Sequence, residues 1–527
     1  MRRADAIVVG AGHNGLVAAI LLARAGWQVV VLERADEPGG AIRTAEVTLP
    51  GFRHDLYATN LNAFMGSRFF AEMGDELFVH GFGVVGAAHP FGSVFPDGAF
   101  AGVSTDAAET DASLRALSPH DAEEWSALAA RFARIAPHLF SLLGAEMPSA
   151  ALLRALLAGR RALGREWPYE LARLAAQSTR ELTESHFDCR EVQALVAAWS
   201  MHLDFPPDAP GGALFAFVET FASAANGMTL GRGGAQSLVD ALVSLLRSLG
   251  GEIVCDAEVE RIRVLGGRAV GVDVRDGETY EAARAVIGNI TPTVLARLID
   301  PSLLRTDVRS YRYAPGTFMV HLALDDLPAW SAGETLRQYA YLHVGPYLED
   351  MSLAYVRAAG GLLPERPTLV IGQPTAIDPS RAPEGKHVLW IQARVQPGRI
   401  RGDATGEISA REWDEAKEPY ADRVVSLVEE LAPGLAARVL ARHVISPDDL
   451  ERANPNLVGG DHLAGSMHPS QYYFLRPLPG WSRYRTPVEA LYLCGAATWP
   501  GGGVGAGSGY LLGKALTRRR RLTGRRA

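Results

Sequence analysis

Cysteine is scarce in this sequence of 527 residues, which contains three, at Cys189, Cys255 and Cys494. They lie far apart and form no C-x-x-C pair, which argues against a disulfide scaffold, a zinc site or a redox-active dithiol. We therefore expect no metal site. Long apolar runs are also lacking, because no segment has the roughly 18 uncharged apolar residues that a transmembrane helix needs. The first apolar run, from Ala6, is broken at Gly10, which argues against an export signal, so we expect a cytoplasmic protein.

Positive charge is depleted over most of the chain, although the net charge is only −7. Lys514 and six arginines lie in the last fourteen residues, which hold no acidic residue. Without these seven residues, 45 basic residues stand against 59 acidic ones, and this balance disfavours nucleic-acid binding. Two interpretations stay open for the basic tail, residues 518–527, and for the leucine- and arginine-rich segment 151–176: solvated structure, or peripheral contact with an anionic membrane.

Hydrophobic periodicity at the start of the chain indicates a strand, a glycine turn, a helix and a second strand. The strands are predicted at residues 5–9 and 28–33, and the helix at residues 14–25. This order is typical of a βαβ unit with parallel strands. Near the other end, residues 490–514 again read as a strand, a glycine turn and a helix.

The middle of the chain changes its period several times. Residues 119–249 have helical spacing, residues 251–287 contain short strands with tight glycine turns, and residues 318–395 alternate as an antiparallel sheet does. We predict an α/β fold, with a discontinuous Rossmann-type domain and an inserted α+β domain that consists of an antiparallel sheet and a helical lobe. The predicted boundaries are residues 1–60, 228–300 and 485–517 for the first domain, and residues 61–227 and 301–484 for the second.

The first glycine turn has the spacing of a dinucleotide-binding motif. Gly10 permits the tight turn, Gly12 allows a pyrophosphate to approach the backbone, and Gly15 allows close packing of helix and strand. The helix N-terminus beyond it, at His13 and Asn14, presents unpaired N–H groups to an anion. Glu33, at the end of the second strand, is placed to accept hydrogen bonds from a ribose.

Two further features favour FAD over NAD. A second glycine pair, Gly39-Gly40, soon follows the ribose acid and indicates close approach to a longer cofactor. The run from Gly501 to Gly505 precedes a helix, whose N-terminus would stabilise negative charge on a reduced flavin. No second strand, G-x-G-x-x-G turn and helix is present for a nicotinamide cofactor.

Together these motifs resemble the phytoene desaturase-related flavoproteins, closest to the subgroup with the carotenoid ketolase and pyridine nucleotide-disulfide oxidoreductase domain-containing protein 2. The resemblance covers nearly the whole chain, including residues 465–495. It implies noncovalent FAD, with the adenine near a strand residue and the flavin along the last glycine run. The implied cofactor-binding residues are Gly10, Gly12, His13, Asn14, Gly15, Glu33, Arg34, Gly39, Gly40, Arg43, Val259, Gly495, Gly502, Gly503 and Val504.

The predicted function is oxidation by FAD of a C–H bond in a small apolar, isoprenoid-like substrate, with hydride transfer to flavin N5. Two alternatives stay open: an amine-oxidase-like enzyme and a non-catalytic FAD-binding regulator. His54, Phe215, Phe217 and Trp499 are candidates to line the substrate site. For His54 the favoured alternative is a polar loop residue that bonds to backbone, and core packing explains the phenylalanines at least as well. Trp499 replaces a histidine that relatives often carry, so the resemblance does not transfer a substrate. The sequence identifies no catalytic side chain, electron acceptor or oligomeric state.

Overall fold

The computed structural model describes residues 2–345 and 347–523, with side chains up to residue 518. The strands of these residues are β1 (Arg2–Val9), β2 (Val29–Leu32), β3 (Thr44–Ala45), β4 (His54–Asp55), β5 (Val84–Ala87), β6 (Phe91–Val94), β7 (Phe100–Val103), β8 (Met228–Gly231), β9 (Glu252–Val254), β10 (Val259–Leu265), β11 (Arg268–Val274), β12 (Thr279–Gly288), β13 (Gly316–Leu324), β14 (Tyr341–Val344), β15 (Leu362–Leu363), β16 (Leu369–Gly372), β17 (His387–Gln396), β18 (Gly402–Asp403), β19 (Val439–Ile445) and β20 (Leu491–Leu493).

The α-helices of the same residues are α1 (His13–Arg24), α2 (Asn62–Met65), α3 (Arg68–Val79), α4 (Ala107–Arg115), α5 (Pro119–Leu143), α6 (Ala150–Leu163), α7 (Trp167–Ala176), α8 (Thr179–Glu184), α9 (Arg190–Met201), α10 (Gly212–Asn226), α11 (Gln236–Ser248), α12 (Pro292–Leu298), α13 (Leu348–Ala359), α14 (Pro374–Ile377), α15 (Trp413–Glu429), α16 (Leu435–Arg438), α17 (Pro447–Ala453) and α18 (Gly507–Thr523). Short 3-10 turns lie at Pro301–Leu304, Val308–Ser310, Glu334–Gln338, Pro379–Arg381, Val458–Gly460, Pro469–Gln471 and Tyr473–Leu475.

Three distant parts of the chain build the first sheet. Its seven strands follow the order β10-β11-β12-β1-β2-β9, and β20 pairs with the carboxyl half of β12. The strands β20, β12, β1, β2 and β9 are parallel, which explains why β1 and β2 are buried on both faces. Ala6 and Val8 pack towards α1, α11 and α18, whereas Ile7 and Val9 face the opposite cluster around β10, β11 and α12.

The two ends of the chain meet where α1 crosses α18. A Cβ atom at Gly509 would lie 2.1 Å from the carbonyl oxygen of Asn14, and one at Gly513 would lie 2.8 Å from the side chain of Leu21. The Gly509 N–H donates to Asn14 Oδ1 over 3.0 Å. Glycine at both positions therefore allows the two helices to touch and joins the final helix to the first glycine turn.

The second sheet has seven strands in the order β19-β13-β17-β16-β14-β6-β7, and it is antiparallel except for the β14–β6 pair. The helices α5 to α10 form a lobe that packs against this sheet. Trp125, Phe132 and Phe217 belong to the same apolar cluster as Tyr341 and Trp390 of the strands. This arrangement places one wall of strands and one wall of helices beside the first domain.

The predicted fold class is confirmed, and one local feature differs from the sequence prediction. Helix α18 continues to Thr523 instead of ending near Lys514, because arginine is a good helix former and its charge suits a helix C-terminus. The segment 151–176 is two helices, broken at Gly164 with φ +104°. A short strand, β8, precedes the Gly231–Gly234 turn, but it pairs with β5 outside the first sheet. The domain boundaries stay a prediction.

Within residues 2–345 and 347–523, no helix has the length and apolarity to cross a membrane. The side chain of Arg518 is exposed, and the rest of the predicted basic tail lies beyond the side chains that the structure describes.

Candidate cofactor and substrate cavity

A cavity of about 1150 Å³ lies between the first sheet, the second sheet and the helical lobe. It exceeds the 300–1,000 Å³ that is common for small-molecule sites, so it has room for an extended ligand. One end lies at the carboxyl ends of β1, β2 and β12, where nucleotide sites form in open parallel sheets. The other end is bounded by β13, β17 and α10.

The turn between β1 and α1 presents bare backbone to this cavity. Gly10 has φ +94°, which disfavours any side chain there, and Gly12 is the N-cap residue of α1 without a side-chain cap. A Cβ atom at Gly15 would lie 2.6 Å from the Gly10 carbonyl oxygen, so this glycine permits the close contact of turn and helix. The uncapped N–H groups of α1 therefore suit the phosphates of a dinucleotide.

Glu33 follows β2 and reaches back to the same turn. Its carboxylate accepts hydrogen bonds from the N–H groups of Ala11 at 2.7 Å and Ala35 at 3.0 Å. The Glu33 carbonyl accepts a further bond from the Ala257 N–H at 2.8 Å, in the loop before β10. Glu33 is buried and held in place, and the two contacts of its carboxylate leave lone pairs for ribose hydroxyls.

The second glycine pair packs directly on the first turn. The Gly39 N–H donates to the Ala11 carbonyl over 3.1 Å. Gly40 has φ +62°, and a Cβ atom there would lie 3.3 Å from Gly12 Cα. Beyond the pair, Arg43 approaches Glu37 at 3.5 Å, and its buried Nε has no hydrogen-bond partner among the described residues. An unpaired buried donor beside bare backbone is what an anionic phosphate would satisfy.

The C-terminal glycine run forms the adjacent part of the wall. Gly495 follows β20 with φ +104°, and its N–H donates to Ser508 Oγ at 2.9 Å on α18. Gly503 has φ +96° and lines the cavity together with Val504. The start of α18 is thereby fixed beside the end of β20, at the same edge of the sheet as the first glycine turn.

Most of the predicted cofactor-binding residues line this cavity. They are Gly10, Gly12, His13, Asn14, Glu33, Arg34, Gly40, Arg43, Val259, Gly495, Gly503 and Val504. Gly15, Gly39 and Gly502 do not line the cavity and lie behind the residues that do. A Cβ atom would lie 2.4 Å from the Ile42 carbonyl oxygen at Gly39 and 2.9 Å from the Leu463 side chain at Gly502, so both glycines support packing.

The structure places two of the four proposed substrate residues in side-chain clusters away from the cavity. His54 is buried, 2.8 Å from Thr48 Oγ1, with its ring edge-on to His321. Burial lowers the pKa of His54 to about 4, so the imidazole is neutral. Trp499 is also buried, and its Nε1–H donates to the Ala145 carbonyl over 2.8 Å. The indole thus replaces the expected histidine as a packing residue.

The two proposed phenylalanines also lie outside the cavity wall. Phe215 stacks on Phe205, with ring centroids 5.2 Å apart, and Phe217 packs against Phe132 at 5.6 Å. On α10 the side chains that reach the cavity are instead Val218, Glu219, Ala222, Ser223 and Asn226. Two residues apart on a helix, the phenylalanines point to different sides. Phe215 is covered by Phe205 and Tyr472, and Phe217 packs within the lobe against Phe132 and Phe221, so their tertiary contacts keep both out of the cavity wall.

Asn289 is a cavity residue that the sequence analysis missed. Its Nδ2 donates to the carbonyls of Gly12 at 3.3 Å and Gly10 at 3.4 Å, so it holds the first glycine turn. A Cβ atom at Gly495 would lie 2.5 Å from Asn289 Oδ1. Its position directly after β12 could have identified Asn289 as a site residue, because polar residues at the carboxyl ends of parallel strands border the ligand site.

The second sheet contributes a polar row that the sequence analysis also missed. Trp390, Gln392 and Arg394 alternate along β17 and line the cavity together with Thr317 and Tyr341. Alternate residues of a strand share one face. The spacing of a tryptophan, a glutamine and an arginine in a mostly apolar strand could therefore have indicated that one face of β17 borders a ligand site.

Glu219 of α10 carries an isolated carboxyl group. Of the described residues that line the cavity, it has the one carboxyl with neither an ion pair nor a hydrogen bond, whereas Glu33, Glu37, Glu258 and Glu260 are all engaged. Burial raises the pKa of Glu219 to about 7. The group therefore exchanges a proton near neutral pH, which is the range useful for acid–base chemistry.

Fold and site together define a flavoprotein of the Rossmann type whose cofactor domain is assembled from both chain ends. The model of the family described as flavin containing amine oxidoreductase matches residues 15–511. The chain belongs to this family. It is an FAD-dependent oxidoreductase, and FAD is its cofactor.

Curated relatives align with this chain over nearly its full length. Pyridine nucleotide-disulfide oxidoreductase domain-containing protein 2 of Rattus norvegicus is 29% identical, over 96% of this chain and 92% of the relative. One chain of the limonene dehydrogenase of Castellaniella defragrans is 27% identical, over 98% of this chain and 95% of the relative. An oxidoreductase crystal structure from Methanosarcina mazei superposes with a TM-score of 0.59 at 19% identity, covering 97% of this chain and 99% of that one. The resemblance to phytoene desaturase-related flavoproteins is confirmed.

Proposed function

We propose that the protein dehydrogenates a small apolar, isoprenoid-like substrate by hydride transfer from a C–H bond to flavin N5. The observation that carries this proposal is the cavity itself, which continues from the cofactor-binding turns into a space with apolar side chains. Phe140, Leu203, Met319, Trp390 and Leu457 are among those that line it. A relative named for limonene dehydrogenation supports a hydrocarbon as substrate class.

The residues of the cavity suit FAD in an extended form. The N–H groups at the start of α1 and the guanidinium of Arg43 would hold the pyrophosphate, and Glu33 would accept hydrogen bonds from the adenosine ribose. Val259 would lie beside the adenine. Gly495 and the Gly503 turn would lie beside the flavin, which supplies the acceptor for a hydride when it is bound.

Glu219 is the proton acceptor in this proposal. Desaturation of a C–C bond removes a hydride from one carbon and a proton from its neighbour, and the proton needs a base in the same cavity. A carboxyl with a pKa of about 7 is ionised in a useful fraction at neutral pH and still gains a proton readily.

Amine oxidation is the second candidate, because the family is described by that chemistry. An ammonium substrate requires negative charge or aromatic faces that are free to bind a cation. Glu219 would supply such a charge when it is ionised, whereas the guanidinium of Arg394 in the same cavity opposes a cation, so the charges of the cavity do not decide against an amine. The hydrocarbon proposal therefore depends on the apolar side chains of the cavity and on the relative named for limonene dehydrogenation.

Anaerobic reduction of the bound flavin tests both candidates. The FAD-loaded protein is mixed with limonene, with phytoene and with putrescine, and the visible flavin absorbance is followed. We expect bleaching with an apolar compound and none with the amine. Bleaching by the amine alone would favour amine oxidation, and a flavin that no candidate reduces would favour a regulatory role.

We further propose a peripheral membrane contact through α6, which would give access to a lipophilic substrate. Leu153 and Leu157 are exposed by 58% and 43%, and the exposed side chains of Arg154, Arg160 and Arg161 surround them. An apolar pair with flanking arginines is typical of a helix on an anionic bilayer. Replacing both leucines by serine should reduce co-sedimentation with anionic liposomes while FAD content is unchanged. Equal co-sedimentation of variant and wild type would contradict this contact.

A further inference from the structure

Arg394 is a buried cation in the wall of the cavity. It lies on β17 with only 6% of its surface exposed, among the residues that line the substrate end. Its Nη1 donates to His462 Nε2 over 2.6 Å, and its Nη2 donates to His202 Nδ1 over 3.1 Å. Its Nε is buried without a hydrogen-bond partner among the described residues. Two of the five N–H groups of the guanidinium are therefore engaged, and the Nε–H has no partner.

The imidazoles around Arg394 cannot balance its charge. Arg394 can only donate, so His462 Nε2 accepts from it and the proton on Nδ1 is donated to Thr317 Oγ1 over 2.8 Å; the same Nε2 also lies 3.1 Å from the His202 carbonyl oxygen. Because His202 accepts at Nδ1, its Nε2–H donates to His343 Nε2 over 3.0 Å. Burial and the nearby guanidinium lower the pKa values of His462 and His343 to about 3, so both rings are neutral. The cluster thus offers acceptors and no negative charge.

In residues 2–345 and 347–523, no carboxylate forms an ion pair with Arg394. This contrasts with Arg381, an equally buried arginine that pairs with Asp55 at 2.6 Å and Asp378 at 3.6 Å. Burial lowers the pKa of Arg394 to about 10, so it still carries its charge at neutral pH. An uncompensated buried charge destabilises a folded protein, and a bound anion would remove that cost.

We propose that Arg394 binds the carboxylate of the substrate, so that the substrate is an apolar molecule with one acidic group. The inference rests on the proposed function and narrows its substrate class. A guanidinium pairs with the two oxygens of a carboxylate in one plane, and a single positive charge balances a single negative one. A phosphate dianion would keep an unbalanced charge in the same apolar surroundings.

Matched ligands test the inference on the FAD-loaded protein. Decanoate, decan-1-ol and decylamine share one chain and differ in the head group. Binding is followed by the change in the visible flavin spectrum and by the shift in melting temperature. We expect decanoate to bind about 10- to 100-fold more tightly than decan-1-ol, which is the effect of a charge-assisted hydrogen bond. Equal affinity of the two, or tightest binding of decylamine, would overturn the inference.

Variants at position 394 connect the effect to this side chain. Arg394→Met should remove the preference for decanoate over decan-1-ol, and Arg394→Lys should keep part of the preference. Arg394→Met also leaves the acceptors His462 Nε2 and His202 Nδ1 unpaired, so the melting temperature and FAD content of each variant are measured without ligand, and the preference is compared among variants that retain FAD. Arg366→Met is the control, since Arg366 pairs with Glu430 at the surface. A preference for decanoate that survives in Arg394→Met would place the anion elsewhere and overturn the inference.

The binding experiment separates this inference from the proposed function. Flavin reduction by limonene together with equal binding of decanoate and decan-1-ol would support the dehydrogenase and overturn the carboxylate site. An Arg394-dependent preference for decanoate in a protein whose flavin no apolar compound reduces would support the site and contradict the dehydrogenase.

Discussion

Two carboxyl groups in the cavity show how surroundings assign roles to the same side chain. Glu33 accepts hydrogen bonds from two backbone N–H groups, which hold its carboxylate at the first glycine turn. Glu219 has no such donor, and burial alone raises its pKa to about 7. Glu33 is placed to bind the cofactor and Glu219 to exchange a proton, so the two carboxyl groups are tested by different experiments.

Glu33→Ala should weaken FAD binding by about tenfold to a hundredfold, since charge-assisted hydrogen bonds are worth roughly 1.5 to 3 kcal/mol. The variant also removes the acceptor for the Ala11 N–H in the first glycine turn. Glu33→Gln keeps one acceptor oxygen and should lose less. FAD affinity is measured by titrating the apoprotein with FAD and following flavin fluorescence. Unchanged affinity in Glu33→Ala would mean that the adenosine lies elsewhere.

Glu219→Gln should change how stability depends on pH. The pKa of Glu219 is about 7 in the folded protein and 4.5 as its ordinary value, so between these values the folded state binds more protons than the unfolded state. Its contribution is therefore fully present below pH 4.5 and is lost as the pH rises through 7. The loss is on the order of 1 to 3 kcal/mol, at the lower end because the carboxyl faces a cavity that water enters.

Urea unfolding at pH 5 and pH 8 measures this difference. The free energy of unfolding of Glu219→Gln minus that of wild type should be more favourable at pH 8 than at pH 5. For Glu384→Gln, at an exposed carboxyl, this difference should be the same at both pH values. A constant difference between Glu219→Gln and wild type at both pH values would contradict the raised pKa. The same variant should lose the rise in flavin-reduction rate with pH if Glu219 accepts the substrate proton.

Single residues of the glycine turns were predictable because their roles are local. Gly10, Gly12 and Glu33 lie at fixed distances along one βαβ unit, and the physical reasons for their identities act within that unit. Trp499 and Phe215 were not predictable as packing residues, because an aromatic side chain beside a glycine turn or on an apolar helix fits a cavity wall and a packed core equally well. Only the tertiary contacts of these side chains decide between the two.

At the scale of elements, the contact between α1 and α18 depends on glycine. Gly509→Ala would place a Cβ atom 2.1 Å from the Asn14 carbonyl oxygen, and backbone at this crossing cannot move aside without shifting the first glycine turn. We expect a loss of about 1 to 3 kcal/mol in stability and reduced FAD content. Gly86→Ala, where a new Cβ atom meets nothing within 4 Å, is the control. Thermal unfolding and the flavin absorbance of purified protein measure both effects, and equal values for the two variants would contradict the close crossing.

Strands and helices with strong periodicity were predicted well from the sequence. The short strands predicted over residues 251–287 correspond to β9, β10, β11 and β12, and β17 lies within the alternating residues 318–395. The arginine-rich end of α18 was missed because charge suggested a solvated tail while helix propensity favoured a longer helix. The two walls of the cavity also escaped prediction, since they come from elements far apart in sequence that meet only in the folded chain.

At the scale of the whole molecule, the cofactor domain closes only when the last strand and helix join the first. β20 pairs with β12, and α18 packs on α1 in one apolar cluster that includes Leu516. The protein should therefore remain folded when residues beyond Leu516 are deleted, and it should lose stability when the deletion includes Leu516. Two truncations can therefore separate the packed residues of α18, up to Leu516, from the arginines that follow them.

Truncation after Arg518 should leave FAD content and melting temperature unchanged, because Leu516 and the α1 contact are kept. Truncation after Lys514 removes Leu516, which is 8% exposed, and should lower the free energy of unfolding by roughly 1.5 to 3 kcal/mol. The chain ending at Arg518 should also bind anionic liposomes less well at low salt, since each lost arginine contributes about 1 kcal/mol near the surface. The difference from wild type should vanish at high salt, where the Debye length shrinks to about 3 Å. Loss of flavin from the chain ending at Arg518 would show that residues beyond 518 support the cofactor domain, and it would contradict their assignment to surface attachment.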